Sequence, residues 1–196
     1  VKAVLTRKDH VSGTDRIAEV SAKMNWSATD VVVNVQGDEP LIDPELISAT
    51  AALVSENVPM ATAAHRMEQP DEIFNPNFVK VVLDRFNKAL YFSRAAIPWY
   101  RDGYSKPDKT FPNPFNALRH IGLYAFRMGA LERFVSQPQS PLEKREKLEQ
   151  LRFLENGVPI RVVRVEGYEA HGVDTPEDLE TIRELLAEHT CKSCVR

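Results

Sequence analysis

Val31-Val32-Val33-Asn34-Val35-Gln36-Gly37-Asp38-Glu39-Pro40 is a β-branched run that stops at a glycine and is followed at once by two acids and a proline. Its first half reads as a strand buried on both faces, as in a parallel sheet. Ligands of open α/β sheets bind at the carboxyl ends of the strands. A carboxylate pushed out there is well placed to hold a hard cation. Mg²⁺ prefers one or two carboxylates supplemented by substrate phosphate oxygens. Asp38 is therefore the leading candidate metal ligand. The plain alternative is a strand that ends in a polar turn.

The same alternation continues on both sides. Val1 to Thr6 reads as a short strand and Arg7 to Thr14 as a polar loop. Asp15 to Lys23 carries Ile17, Ala18 and Val20 and reads as a helix, capped by Ser12 or Thr14, with Gly13 allowing close approach. The N–H groups at such a start form an anion or nucleotide-edge site. Downstream, Asp43 before Pro44 is an N-cap followed by a first-turn proline, opening a helix that runs to Glu56. Met60 to His65 reads as a strand. Val79 to Asp84 and Ala89 to Ser93 flank an Asn87-Lys88 turn and read as a hairpin. Residues 101–116 form the longest loop, rich in Pro, Lys, Asp and Gly, of the kind that serves as a lid or an interface. Arg119 to Arg127 alternates as a strand. Ser140 and Glu143 form a capping box around Pro141, and one helix runs from there to Asn156-Gly157 with Leu148, Leu151 and Leu154 inside. Ile160 to Val165 is a strand, and Thr175-Pro176 opens the last helix. This order predicts an α/β sheet with mixed edges and a hairpin-like insertion.

Composition narrows the function. The chain has 196 residues, 43% hydrophobic and 27% charged, enough for one good core. A net charge of −3 with no dominant basic patch disfavours nucleic acid as a partner. No apolar run approaches the roughly 20 residues of a membrane span, and no signal peptide is visible. Cys191 and Cys194 sit in the tail as a lone C-x-x-C, which reads as a frayed, reduced terminus before it reads as a metal site. The expectation is a cytoplasmic protein with no membrane partner. The chain begins inside a strand pattern without Met, and it holds no glycine-rich phosphate loop. A missing N-terminal segment is expected.

Three further groups could carry chemistry. Asp174, in Gly172-Val173-Asp174-Thr175-Pro176, stands just outside a helix whose own cap is Thr175, so it need not be spent on capping and could converge with Asp38 on one cation; its plain alternative is a loop acid near a helix dipole. Arg94, Arg101, Arg119, His120 and Tyr124 form a cationic, hydroxyl-bearing group around the hairpin and loop, suited to a small acidic substrate. Glu149 and Gln150 lie beside a buried leucine stripe, where they could hydrogen-bond a polyol. Solvated arginines and ordinary helix-surface residues are the plain alternatives.

Eight stretches together resemble one family. They are His10-Val11-Ser12-Gly13-Thr14-Asp15-Arg16, Asn34-Val35-Gln36-Gly37-Asp38-Glu39-Pro40, Phe74-Asn75-Pro76-Asn77, Ala89-Leu90-Tyr91-Phe92-Ser93-Arg94, Ile97-Pro98-Trp99, Arg119-His120-Ile121-Gly122, Leu148-Glu149-Gln150-Leu151-Arg152 and Gly172-Val173-Asp174-Thr175-Pro176-Glu177-Asp178-Leu179. Each is modest alone. In this order, across nearly the whole chain, they resemble the 3-deoxy-manno-octulosonate (Kdo) cytidylyltransferases of lipopolysaccharide biosynthesis.

The resemblance implies a Rossmann-like nucleotidyltransferase α/β sheet, mixed, with its N-terminal βα units absent. It implies a single domain over residues 1–196, within which 86–128 serves as a dimerisation and substrate lobe of a homodimer. The absent opening corresponds to about two βα units, or ~60 residues. The implied roles are Mg²⁺ on Asp38 and Asp174 as the catalytic pair, CTP on Ser12, Gly13, Thr14, Arg16 and Gln36, and Kdo on Arg94, Arg101, His120, Tyr124, Glu149 and Gln150. The implied reaction transfers CMP from CTP to Kdo. The rivals are a cytidylyltransferase for 8-amino-Kdo or a sialic acid, a nucleotide-sugar glycosyltransferase, and a non-catalytic fragment or binding module. Gly37-Asp38-Glu39 lacks the Asp-x-Asp of the glycosyltransferase reading, and the missing phosphate loop motivates the non-catalytic one.

Overall fold

One long strand, β5 (Leu118–Arg127), is the spine of the sheet. The computed structural model describes residues 2–10, 12–168, 172–173 and 175–193. Around β5 gather β1 (Val31–Asn34), β2 (Met60–Arg66), β3 (Lys80–Leu83), β4 (Ala89–Ser93) and β6 (Ile160–Val165). The order is β4-β3-β5-β2-β6, with β1 paired to β5 off this path. β2 and β6 run parallel, and the other pairs are antiparallel. The sheet is therefore mixed, as the element order predicts.

Helices cover both faces. α1 (Gly13–Met24), α3 (Met128–Val135), α4 (Pro141–Glu146) and α5 (Gln150–Glu155) lie on one side. Their Ile17, Ala18, Leu131, Phe134, Leu142, Leu151 and Phe153 share a core with Met60, Phe92, Phe126 and Ile160 of the strands. Phe134 and Phe153 stack at 4.1 Å. α2 (Pro44–Ala52) covers the other face, where Leu46 and Ile47 meet Ala63, Ile121 and Leu123. The stretch 86–128 supplies β4 and β5 to the sheet, and its loop packs Tyr104, Phe111 and Phe115 with Met67 and Ile73 into a cluster of its own.

Local chemistry explains the helix ends. Ser12 Oγ accepts from the Asp15 N–H and caps α1, while Asn25 ends it in the left-handed region. Asp43 caps α2. Ser140 and Glu143 form the reciprocal capping box on α4. Thr175 and Asp178 exchange the equivalent bonds at the start of α6 (Pro176–Ser193).

Four expectations need correction. Residues 2–10 contain no strand: Leu5 is 94% exposed, and Lys23 and Arg16 of α1 donate to the Leu5 and Arg7 carbonyls where a ladder would otherwise form. β1 is not buried on both faces in a parallel sheet. It pairs antiparallel with β5 alone among the described strands, and Val31 is 43% exposed. The helix from Pro141 is interrupted at Lys147, whose φ of 56° breaks the ladder and separates α4 from α5. α2 stops at Ala52, four residues before Glu56, and α3 was not expected at all, because its apolar residues continue β5 without a turn signal. Val1, Val11, Asp174 and Cys194 lie outside the described residues.

Candidate active site

Six of the sequence-predicted residues line one cleft of about 430 Å³, together with Asp38. Gln36 and Asp38 come from the turn after β1. Arg94 follows β4, His120 and Tyr124 stand on β5, and Glu149 and Gln150 open α5. Strand ends, one strand face and one helix start thus converge from across the chain.

An irregularity in β5 shapes the centre. Thr62 of β2 pairs with Tyr124, but its neighbour Ala63 pairs with Ile121, so Gly122 and Leu123 bulge out of the ladder. Bulges commonly re-aim groups beside active sites. Here the Gly122 carbonyl accepts from Gln36 Nε2 at 3.1 Å. His120 and Tyr124 would stand about 13 Å apart on a regular strand, yet their ring centroids are 5.3 Å apart. They share a face as their spacing predicts, and the bulge draws them together.

The side of the cleft formed by Glu149 and Gln150 is polar and incompletely satisfied. Glu149 Oε1 accepts from Thr14 Oγ at 2.7 Å. Glu149 Oε2 and Gln150 Nε2 are buried and have no hydrogen-bond partner among the described residues. Buried polar groups are rarely left so. Burial raises the Glu149 carboxyl, with the Thr14 and Ser12 hydroxyls opposing it. Burial, with the Glu149 charge beside it, raises the Tyr124 phenol well above its ordinary range. Burial holds His120 down at about 3, so its imidazole is neutral.

Arg94 is held rigidly. Its Nε donates to the Glu146 carbonyl at 2.8 Å and one Nη to the Pro76 carbonyl at 2.9 Å. Its own backbone is fixed by Glu146 Oε2 and by the fully buried Lys80, whose Nζ donates to the Arg94 carbonyl at 2.6 Å and the Asn75 carbonyl at 2.8 Å. Arg94 is also among the residues that line the cleft.

Ser12 and Gly13 line an adjoining cleft of about 350 Å³ that shares Lys147 and Glu149 with the first. Thr14 is buried and reaches this boundary through Glu149. Arg16 does not enter either cleft: it is exposed and bonds Thr6 and the Arg7 carbonyl. Arg101 is exposed in the 94–117 loop and does not line the cleft.

The acidic end meets the requirements of a hard cation in part. Asp38 is exposed on the cleft wall, and its carbonyl accepts from the Val173 N–H at 2.9 Å, which closes 135 residues of chain. Asp174, the next residue, lies outside the described residues. Glu39 neighbours Gly172 and hydrogen-bonds Tyr168, whose phenol burial and Glu39 raise to about 12. An oxygen-donor carboxylate open to the cleft suits Mg²⁺ that takes its other ligands from phosphate and water.

Comparison with known proteins agrees with this geometry. A family model described as cytidylyltransferase matches residues 1–164. A 3-deoxy-manno-octulosonate cytidylyltransferase of Herminiimonas arsenicoxydans is 55% identical over 96% of this chain and 75% of its own. The chain belongs to the 3-deoxy-manno-octulosonate cytidylyltransferase family. Relatives of the same name from Marinomonas sp. (strain MWYL1) and Neisseria meningitidis serogroup C (strain 053442) are 51% and 52% identical, covering 94% and 95% of this chain and 72% and 74% of theirs. The solved structure of CMP:2-keto-3-deoxy-manno-octonic acid synthetase complexed with CTP superposes with a TM-score of 0.79. It is 38% identical, over 96% of this chain and 73% of that one.

Other residues of the cleft escaped sequence reasoning as site residues: Glu39, Asn77, Gly122 and Lys147. Arg119 was visible as a cation, and its guanidinium lies 3.7 Å over the Phe78 ring. Gly122 and Lys147 carry no sequence signal, because one matters through a bulge and the other through a helix break.

Proposed function

We propose that this protein transfers CMP from CTP to Kdo, releasing pyrophosphate. The observation that carries the reading is the pair of buried, unpartnered polar atoms, Glu149 Oε2 and Gln150 Nε2, in a cleft that also holds Arg94, Arg119 and the strand-end Asp38. A sugar acid offers hydroxyls to the former and a carboxylate to the guanidinium groups of Arg94 and Arg119. The anomeric hydroxyl oxygen attacks the α-phosphorus, the bond from that phosphorus to the bridging α–β oxygen breaks with its electron pair kept by the departing pyrophosphate, and the hydroxyl proton passes to solvent water. Arg94, rigid on four backbone and side-chain bonds, orients the carboxylate. His120, Tyr124, Glu149 and Gln150 fix the hydroxyls. Ser12, Gly13, Thr14 and Gln36 face the nucleotide. Asp38, with Asp174, would hold Mg²⁺, which supplies charge neutralisation at the phosphates.

The assignment extends to a homodimer acting in the cytoplasm. No helix among the described residues is long and apolar enough to cross a membrane. Phe86, Leu90 and Trp99, within the 86–128 stretch, are 59%, 60% and 55% exposed and give the dimer an apolar surface. The test is pyrophosphate release by the purified protein from CTP with Kdo, 8-amino-Kdo or N-acetylneuraminate as acceptor. Release with Kdo at the highest kcat/KM is expected. No release, or a higher value with another acid, overturns the assignment.

A further inference from the structure

We propose that Thr62 is a positioning residue that locks His120 in its Nε2–H tautomer, so that the cleft offers Nδ1 as an obligate acceptor for a substrate hydroxyl. The proposal deepens the polyol reading above and rests on it for the identity of the ligand. The tautomer itself follows from where the hydrogens must lie. Thr62 is fully buried. Its Oγ lies 2.6 Å from the Leu123 carbonyl oxygen and 3.3 Å from that of Ile121. Carbonyl oxygens carry no hydrogen, so the only hydrogen able to bridge the 2.6 Å contact is the one on Oγ. The hydroxyl has then no hydrogen for His120 Nε2, which stands 2.9 Å away. That contact needs its hydrogen on Nε2, with Oγ accepting.

A neutral imidazole holds one hydrogen. With Nε2 protonated, Nδ1 is bare. No described protein atom pairs with Nδ1, and the ring lines the cleft. The ring is wedged edge-on to Phe92 at 5.1 Å and against Tyr124 at 5.3 Å, while the His120 N–H donates to the Val79 carbonyl at 2.8 Å. Burial keeps the imidazole uncharged, so Nδ1 does not become a donor near neutrality. The bulge at Gly122 and Leu123 is what aims the Leu123 carbonyl at Thr62. The fold thus sets the polarity of a hydrogen bond to substrate through a residue that never touches it. Nδ1 and the unpartnered Glu149 Oε2 are both acceptors, so the preferred ligand presents hydroxyl hydrogens there. Ether oxygens would be rejected.

The test is ¹⁵N-histidine NMR of the ligand-free protein combined with kinetics. His120 should show a pyridine-type Nδ1 and a pyrrole-type Nε2. Thr62→Val should abolish this preference and raise the KM for Kdo roughly tenfold with little change in the KM for CTP. Thr62→Ser should restore both. A pyrrole-type Nδ1 in the wild type overturns the proposal, and so does a Thr62→Val protein with wild-type tautomer and KM. The wild-type spectrum decides the tautomer even if Thr62→Val does not fold. It needs no substrate, so a failure of the wild type to use Kdo strikes the functional reading and leaves the tautomer standing.

Discussion

Glu149 has one oxygen held by Thr14 and one without a hydrogen-bond partner among the described residues. Its side chain therefore belongs to both halves of the cleft, and the choice of substitution matters. Glu149→Gln keeps an oxygen for Thr14 but places an amide N–H₂ where an acceptor stood. The KM for Kdo should rise by roughly one to two orders of magnitude, since an unmet buried group costs about 1–3 kcal/mol, while that for CTP holds. Glu149→Ala should move both constants, because Thr14 then loses its partner. Steady-state kinetics on the two variants separate these outcomes. Burial already disfavours the charged form of Glu149. Glu149→Gln should consequently raise Tm at neutral pH even as it lowers activity. At the other end, Asp38 is exposed, and its side chain makes no hydrogen bond with the described residues. Asp38→Asn should cut kcat by about two to three orders of magnitude and leave Tm unchanged; wild-type-like turnover would remove Asp38 from the catalytic pair.

At the scale of the element, the bulge in β5 connects sheet geometry to chemistry. A Cβ on Gly122 would sit 2.4 Å from Gln36 Nε2 and 3.2 Å from its Cδ, with no backbone atom so close. The group that must yield is the end of a flexible side chain. Gly122→Ala should therefore lower Tm by less than about 3 °C, yet displace Gln36 from the Gly122 carbonyl and raise the KM for CTP. A large loss of stability with unchanged KM would mean that the glycine serves the backbone alone. The break between α4 and α5 acts in a similar way. Lys147, at φ 56°, lets Leu148 turn into the core and sets Glu149 and Gln150 in the lining of the cleft. A continuous helix from Pro141 would have carried them elsewhere.

For the whole molecule, buried ionisable groups set the response to acid. His120 is held at about 3 against 6.5 when exposed, and burial followed by the Arg119 charge also lowers His65. Below 6.5 the unfolded chain takes up protons that the folded chain refuses. Stability should thus fall as pH falls, by up to about 1.4 kcal/mol per pH unit for His120, until its folded value is reached. Glu149 works in the opposite sense, since its raised carboxyl binds a proton more readily in the folded state. Urea titrations at about pH 7 and about pH 5 on wild type and His120→Gln check this: the variant should lose less stability than the wild type. A second prediction at this scale concerns assembly. Sedimentation at micromolar concentration should give a dimer, and Leu90→Asp should give a monomer if the exposed Phe86, Leu90 and Trp99 form the contact.

Signals local in the chain were enough for most of the elements. Ser12, Asp43, Ser140 and Thr175 cap the helices they were expected to cap, and the β3–β4 hairpin forms around Asn87, because each depends on a few adjacent side chains. The residues that converge on the cleft were also legible, because acids after a strand and cations on a hairpin keep their chemistry in any register. What lay beyond the sequence is non-local. That β1 meets β5 antiparallel is a matter of partner choice, and a run of valines is equally apolar in either direction. The bulge that draws His120 to Tyr124, and the contact that gives Thr62 control of a hydrogen 58 residues away, arise only when two strands are laid side by side. Side-chain type set what this protein could bind; the pairing of β2 with β5 decided which atoms face the ligand and which way their hydrogens point.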